Sequence, residues 1–308
     1  MSLAPIILFV YNRLSHTNQT IEFLKKNHLA EESNLIIFSD GEKNIQSKEA
    51  VLNVRKLINN IVGFKTIKII EREKNLGLAC SIIDGVSSVI NDYGKAIIME
   101  DDLITSPYFL TFMNNTLNEY EGDTKVGSVS GYSFLNKSEI PADFNGDTYL
   151  SFRHSSWGWG TWKRVWNEID WNVNDFVDFK KSRKAQQLFN LGGNDLTEML
   201  KMQMKGELDS WSIRFDYNCY KKNLLSVLPK YSLVRNIGFD GTGVHSEVTS
   251  KYDIDLDDSF AKQIRFKNAE NHLNINQAIK NKFNLSLQKK LINNLYRLKK
   301  KIYGRKKN

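Results

Sequence analysis

The sequence predicts an α/β protein, a Rossmann-like mostly parallel sheet flanked by helices, with a C-terminal helical extension. Three observations carry that expectation. Short apolar runs bounded by turn residues recur at 5–10, 35–39, 66–70, 95–99 and 126–130. Helix-like segments lie between them at 15–27, 47–61, 78–91 and 106–120. Such alternation, with β-branched residues in the runs, is the signature of parallel strands joined by crossover helices. Finally, the last segment places Leu287, Leu291, Leu295, Leu298 and Ile302 at helical spacing among lysines.

Taken in order, APIILFV is far shorter than the ~20 apolar residues a membrane span needs. It lacks a basic flank and a small-residue cleavage site, so it reads as the first strand rather than a leader. The fourth run, KAIIM, ends in three consecutive carboxylates, Glu100, Asp101 and Asp102. Ser106-Pro107 then reads as an N-cap and first helical residue. The second half changes character: all six tryptophans lie between Trp157 and Trp211, four of them in SSWGWGTWKRVW. Helices are expected around 195–205 and 211–222, then an apolar stretch, LLSVLP, and the loop NIGFDGTGVHS. The organisation expected is two halves of one domain, 1–130 and 131–250, followed by an extension at 251–308.

Composition narrows the class. With 41% hydrophobic and 25% charged residues, the 308-residue chain is an ordinary globular protein with enough apolar content for a large core. Cys80 and Cys219 have no metal-ligand or redox spacing and suit reduced thiols in a cytoplasmic protein. The net charge of +8 is concentrated at the end: eleven Lys/Arg and no Asp/Glu follow residue 279, so the first 279 residues sum to −3. Nucleic acid is therefore not the expected partner, since the basic residues do not lie on the sheet half.

Ligands of open α/β sheets bind at the carboxyl ends of strands. Arg13 follows the first run, Asp40 the second and Glu100–Asp102 the fourth. Three adjacent carboxylates repel one another unless a metal, a Lys/Arg or water relieves them. Mg²⁺ or Mn²⁺ takes one or two carboxylates plus phosphate oxygens, so the triplet suits an ion held against a diphosphate; the plainer reading is a solvated acidic turn. Asp209, before the helix at 211–222, is either an N-cap or a general base. Trp157 and Trp159 alternate in a glycine-broken segment and suit a sugar platform, whereas Trp162 and Trp166 suit the core. His245 is a structural histidine or an Mn²⁺ ligand in a glycine-rich loop.

The blocks VYNR, FSDG, MEDDL, SSWGWGTWKRVW, LDSWSIRFDY and PKYSLVRNIGFDGTGVH come in the order of a known family. Over residues 4–246 the chain resembles nucleotide-sugar glycosyltransferases of the GT-A fold. The closest likeness is to the N-acetylglucosaminyltransferase I branch and its bacterial surface-polysaccharide relatives. The resemblance implies a metal-dependent, inverting transfer from a nucleoside-diphosphate sugar, with UDP as the family's nucleotide. Arg13 and Asp40 would contact the nucleotide, Asp40 near the base or ribose. Glu100-Asp101-Asp102 would be the family's DXD motif, with Asp102 the metal ligand and Asp101 near the ribose or sugar. Asp209 would be the base, although Ser210 stands where the family has a second acidic residue. His245 would approach the diphosphate or metal, and 157–160 would line the donor-sugar and acceptor pocket.

Two rival functions use some of the same residues. A metal-dependent nucleotidyl- or phosphoryl-transfer enzyme also needs strand-end carboxylates but leaves the tryptophan segment and Asp209 without a role. A non-catalytic carbohydrate-binding protein on a decayed scaffold would have lost its metal-site acids, and Asp101 and Asp102 are both present. The basic tail reads as an interfacial helix on an anionic membrane, where a glycan or lipid-linked acceptor would be met; each Lys/Arg near such a surface is worth about 1 kcal/mol. The remaining readings of the tail are a nucleic-acid contact and a solvated helix.

Overall fold

The first strand, β1 (Ile6–Val10), is buried at every position, as a strand covered by helices on both faces must be. The computed structural model describes residues 2–241, 249 and 252–285. After β1 come α1 (Leu14–Lys25), β2 (Asn34–Ser39), α2 (Ile45–Ile58), β3 (Thr66–Glu71), α3 (Leu78–Tyr93) and β4 (Lys95–Glu100). These are the expected alternating elements, and β1 pairs in parallel with both β2 and β4, while β2 pairs in parallel with β3. The remaining elements are β5 (Leu103–Thr105), α4 (Phe109–Glu119), β6 (Val126–Ser130), β7 (Thr148–Ser151), β8 (Trp159–Trp162) and α5 (Lys163–Trp166). They are followed by α6 (Phe176–Lys181), α7 (Arg183–Phe189), α8 (Asp195–Gln203), α9 (Trp211–Lys221), β9 (Leu225–Pro229), β10 (Val234–Asn236), α10 (Asp258–Gln263) and α11 (Leu273–Phe283).

One eight-stranded sheet, ordered β3-β2-β1-β4-β8-β6-β9-β7, runs through both halves of the sequence. The tryptophan segment supplies its middle: β8 lies antiparallel between β4 and β6. Trp162 therefore ends a strand, and the helix that follows covers only 163–166, both tryptophans lying in the core as expected. Gly160 makes the insertion possible, because a Cβ there would lie 2.8 Å from the Ala96 carbonyl oxygen. Since β6 and β9 are parallel to each other and run in the direction of β4, the carboxyl edge of the sheet extends from β3 to β9.

The aromatic residues around β8 form the core on one face. Trp159 is fully buried and stacks on Trp211 with ring centroids 4.8 Å apart; Trp166 and Phe215 complete the cluster. Truncating a buried tryptophan costs ~3–5 kcal/mol, which marks these rings as structural. A smaller cluster of Val173, Phe179, Phe189, Leu196, Leu200, Ile213 and Tyr217 holds α6 to α9 together.

The helix after the acidic triplet begins later than expected. Ser106 donates its backbone N–H to the Leu233 carbonyl, continuing the antiparallel β5–β10 pairing, and its hydroxyl to Asp258 Oδ1 at 2.6 Å. That keeps Ser106-Pro107 outside α4, which starts at Phe109 with Tyr108 as its cap. At the C-terminal side, α11 returns to the body of the protein: Asn276 Nδ2 donates to the Leu150 carbonyl, and Phe283 packs edge-on against Phe134. Among the described residues no helix is long and apolar enough to cross a membrane. The expected amphipathic helix beyond residue 285 lies outside the described residues.

Candidate active site

The carboxyl ends of β1, β2 and β4 are neighbours in the sheet, so the residues that follow them share one edge. Arg13, after β1, turns its guanidinium onto the acidic triplet after β4. Its Nη2 donates to Asp101 Oδ1 and, at 2.8 Å, to Asp102 Oδ2. The cation among the carboxylates is thus Arg13 itself; although burial disfavours its charge, Asp101 and Asp102 push its pKa above the ordinary arginine value. Thr20, on α1, fixes the turn by donating to the Asp101 carbonyl and accepting from the Leu103 N–H.

One arginine does not balance three acids. Burial first, and then the charges of Asp102 and Asp101, push the Glu100 carboxyl up to about 8. Burial also raises Asp101, against the attraction of Arg13. Asp102 Oδ1 is buried with no hydrogen-bond partner. An excess of negative charge and an orphaned carboxylate oxygen together fit a hard divalent cation. Among the described residues no cluster of three or more His, Cys, Asp or Glu forms a ready-made cage. A cation here would complete its shell with ligand oxygens and water.

The strand after the tryptophan half comes back to this cluster. Ile237, just past β10, donates its N–H to the Asp102 carbonyl at 2.9 Å, and Gly238 packs directly on the Asp102 carboxylate, where any Cβ would collide. Asp240 then pairs with His16 at 3.2 Å, one helical turn beyond Arg13. Neither His16 nor Asp240 stood out in the sequence, because their pairing depends on this long-range return. His245, the other expected metal ligand, lies outside the described residues.

Asp40, expected to contact the nucleotide, also holds the backbone around it. Its Oδ1 accepts from the Gly41 and Leu76 N–H groups at 3.1 and 2.9 Å, and its Oδ2 from Gly77 at 3.1 Å. These three bonds tie the end of β2 to the start of α3. Gly77, at φ +76°, is the residue from which α3 starts. Asp209 Oδ2 lies next to it, 3.9 Å from where a Gly77 Cβ would sit. Asp209 therefore stands at the same carboxyl edge, exposed. It is not the helix cap: Ser210 fills that position, accepting from the Ile213 N–H.

The two tryptophans proposed as a sugar platform separate. Trp159 is fully buried in the core, which removes it from ligand contact. Trp157 is half-buried, meets Phe239 and Tyr252 edge-on at 5.5 and 5.7 Å, and lines a cavity of about 470 Å³. Phe239, which also lines the cavity, directly follows the glycine packed on Asp102.

His154 and Asp216 line the same cavity. Asp216 Oδ1 accepts from the His154 N–H at 2.7 Å, and Ser128 Oγ bonds His154 Nδ1 at 3.0 Å. Burial, reinforced by Arg153, lowers the imidazole to about 3, so His154 is neutral; its Nε2 is buried and without a partner. Burial raises Asp216 to about 7, against the charge of Arg153 and the bond from His154. The only advance signal was a polar pair, Arg153-His154, at the end of an apolar run, and Asp216 lies on the buried face of α9.

The Asp216 shift has a measurable sign. The unfolded chain ionises this group near pH 4 and the folded chain near 7, so the folded state binds more protons between those values. Its contribution to stability is fully present below about pH 4 and is lost as pH rises toward 7. In urea unfolding, wild type should gain stability relative to Asp216→Asn as pH falls from 7 to 5. A difference that stays flat over that window would mean an ordinary carboxylate at 216.

No family model and no curated protein matches this chain. Solved structures similar to it include the mannosyltransferase PcManGT of Pyrobaculum calidifontis in complex with GDP-Man and Mn²⁺. The similarity covers 72% of this chain and 69% of that one, at 9% identity and a TM-score of 0.38. A second is S. aureus TarS 1-349 in complex with UDP, with 85% of this chain and 69% of that one covered, 11% identity and a TM-score of 0.44. At such identities and scores the chemistry rests on the site itself.

Proposed function

We propose that this chain is an inverting, metal-dependent glycosyltransferase of the GT-A type. It would move a sugar from a nucleoside-diphosphate sugar, a UDP-sugar, to a hydroxyl of a glycan or lipid-linked acceptor in surface polysaccharide synthesis. The observation that carries this reading is the over-negative cluster after β4, where Arg13 leaves Glu100 and Asp101 with raised pKa values and Asp102 Oδ1 unpartnered. A cation and a diphosphate together satisfy such a cluster at the carboxyl edge of a parallel sheet.

Asp102, with His245 in the family's pattern, would hold Mn²⁺ or Mg²⁺, which when bound neutralises charge on the departing diphosphate. Arg13 keeps Asp101 and Asp102 in place and offsets part of their charge. Asp40 shapes the 76–77 turn beneath Asp209. Inversion requires a base on the sugar face opposite the leaving group, a role assigned to Asp209. As the acceptor oxygen bonds to the anomeric carbon, the bond to the diphosphate oxygen breaks and the hydroxyl proton passes to Asp209. Trp157 offers its ring to the sugar's C–H face. The eleven cations after residue 279 would draw the chain to the anionic inner face of a membrane, toward a lipid-linked acceptor.

A screen of UDP-, GDP- and dTDP-sugars, each with and without Mn²⁺, tests the reading by thermal shift and donor hydrolysis. A ligand at ~100 times its Kd stabilises the fold by about 2.7 kcal/mol, a shift of a few degrees. UDP-sugars should produce it with Mn²⁺ and not without. If no nucleotide sugar stabilises the protein or is hydrolysed, the transferase reading is wrong.

A further inference from the structure

We propose that the outer sides of α6 and α7 form a docking surface for an anionic lipid bilayer. The surface is distinct from the C-terminal segment, acts beside it, and holds whether or not the chain is a transferase.

The two helices share one pattern. On α6, Val177, Lys180 and Lys181 fall at i, i+3 and i+4 and lie along one side. On α7, Lys184 and Leu188 stand one turn apart, beside Arg183. The opposite sides are anchored: Phe179 and Phe189 are buried and meet edge-on, ring centroids 5.7 Å apart, in the cluster that joins α6 to α9. Only Ser182 separates the helices, so the cations and the two aliphatic side chains turn outward from one small unit. Val177 is 60% exposed and Leu188 45%, and all four cations are exposed. Aliphatic groups standing among lysines and arginines are what an interfacial surface presents. The cations meet lipid phosphates while the aliphatic groups enter the acyl boundary.

Charge and connectivity select that occupant. Residues 176–189 carry four Lys/Arg against one acid, Asp178. Nearby cations are matched, Lys221 with Asp175 at 2.6 Å and Lys222 with Glu168 at 2.7 Å, whereas none of these four pairs with an acid among the described residues. The last described residues lie beside the same unit. Leu285 donates its N–H to Asn194 Oδ1 at 2.7 Å, and Asn194 donates its own to Asn284 Oδ1 at 3.1 Å, just past the end of α7. Residues 286–308 continue from that point with nine Lys/Arg and no Asp/Glu, so their charge repels the α6–α7 surface rather than covering it. Two basic, partly apolar stretches that begin side by side answer to one anionic partner, and stable membrane attachment takes two such signals. Nucleic acid would match the charge but gives Val177 and Leu188 no apolar phase to enter. The cluster beneath the patch includes Ile213 and Tyr217 of α9, so docking here sets the lobe next to Asp209 against the membrane.

Co-sedimentation of the full chain at physiological ionic strength tests the surface, with phosphatidylglycerol-containing vesicles, phosphatidylcholine vesicles and an RNA duplex as probes. Lys180→Gln/Lys181→Gln/Arg183→Gln/Lys184→Gln should weaken binding to the anionic vesicles about tenfold or more. Val177→Ser/Leu188→Ser should weaken it about threefold or more. A full-length chain with the nine cations after residue 285 changed to Gln should keep a preference for anionic vesicles, which adding the four α6–α7 changes removes. All six patch positions are exposed, so thermal melts should stay at the wild-type value. Wild-type vesicle binding by either patch variant overturns the surface and leaves the C-terminal segment as the sole membrane contact. Equal wild-type binding to both vesicle types overturns both membrane contacts, and tighter binding of the RNA than of the anionic vesicles overturns lipid as the occupant. The UDP–Mn²⁺ thermal shift, unchanged in both patch variants, reports on the transferase reading separately.

Discussion

Asp102→Ala should lower UDP affinity in the presence of Mn²⁺ by about 10- to 100-fold, the range seen when a metal site loses part of its support, and should abolish the metal dependence of binding. The expectation follows from charge. Glu100, Asp101 and Asp102 crowd one strand end, and Arg13 bridges only two of them. Glu100 is raised to about 8 by burial and by its acidic neighbours, so the cluster favours additional positive charge over ionising fully on its own. Removing Asp102 takes away the unpartnered oxygen and one of the repelling charges at once. Arg13 gives up its bond to Asp102 in this variant but keeps the one to Asp101, so the variant should still fold while losing its hold on the ion. Titration calorimetry with UDP, with and without Mn²⁺, reads both effects. Unchanged Mn²⁺-dependent affinity would reject the metal role of Asp102 and leave Arg13 as the only cation the triplet needs.

What was legible in the sequence divides along the range of the interactions. β1 to β4 and the helices between them were readable because a buried parallel strand is a local apolar run, and its crossover helix a local periodicity. β8 was not, because WGTW becomes a strand only where Gly160 can pass the Ala96 carbonyl between two other strands. The acidic triplet was visible as chemistry, but whether metal, arginine or water relieves it could not be read from local spacing. Arg13 reaches it across 88 residues. Asp40 was visible as a strand-end carboxylate, but its bonds to the backbone N–H groups of Leu76 and Gly77 join segments 36 and 37 residues apart and could not be read from the sequence. The His154–Asp216 pair spans 62 residues, and the polar Arg153-His154 step at the end of an apolar run did not reveal the partner.

Asp209→Asn should leave UDP-sugar affinity near normal and reduce transfer to the acceptor by about 10²- to 10⁴-fold, the usual worth of a general base. Two neighbours compete for that role. Ser210 occupies the position where the resembled family carries its second acidic residue, but its hydroxyl is engaged, capping α9 through the Ile213 N–H at 3.3 Å and bonding Ser212 Oγ at 3.0 Å. Ser210→Ala should cost about 1 kcal/mol of helix capping and retain turnover. Asp216 is a buried carboxyl lining the cavity beside Trp157 and is already bonded to the His154 backbone N–H. Asp209, by contrast, is exposed, lies against the Gly77 turn at the carboxyl edge, and keeps Arg214 close enough to feel its charge. An exposed carboxylate can take a proton and release it to water between turnovers, which a buried one cannot do as readily. Single-turnover assays with donor bound separate chemistry from binding. Full turnover by Asp209→Asn would move the base to Asp216 and make the aromatic cavity the reacting centre.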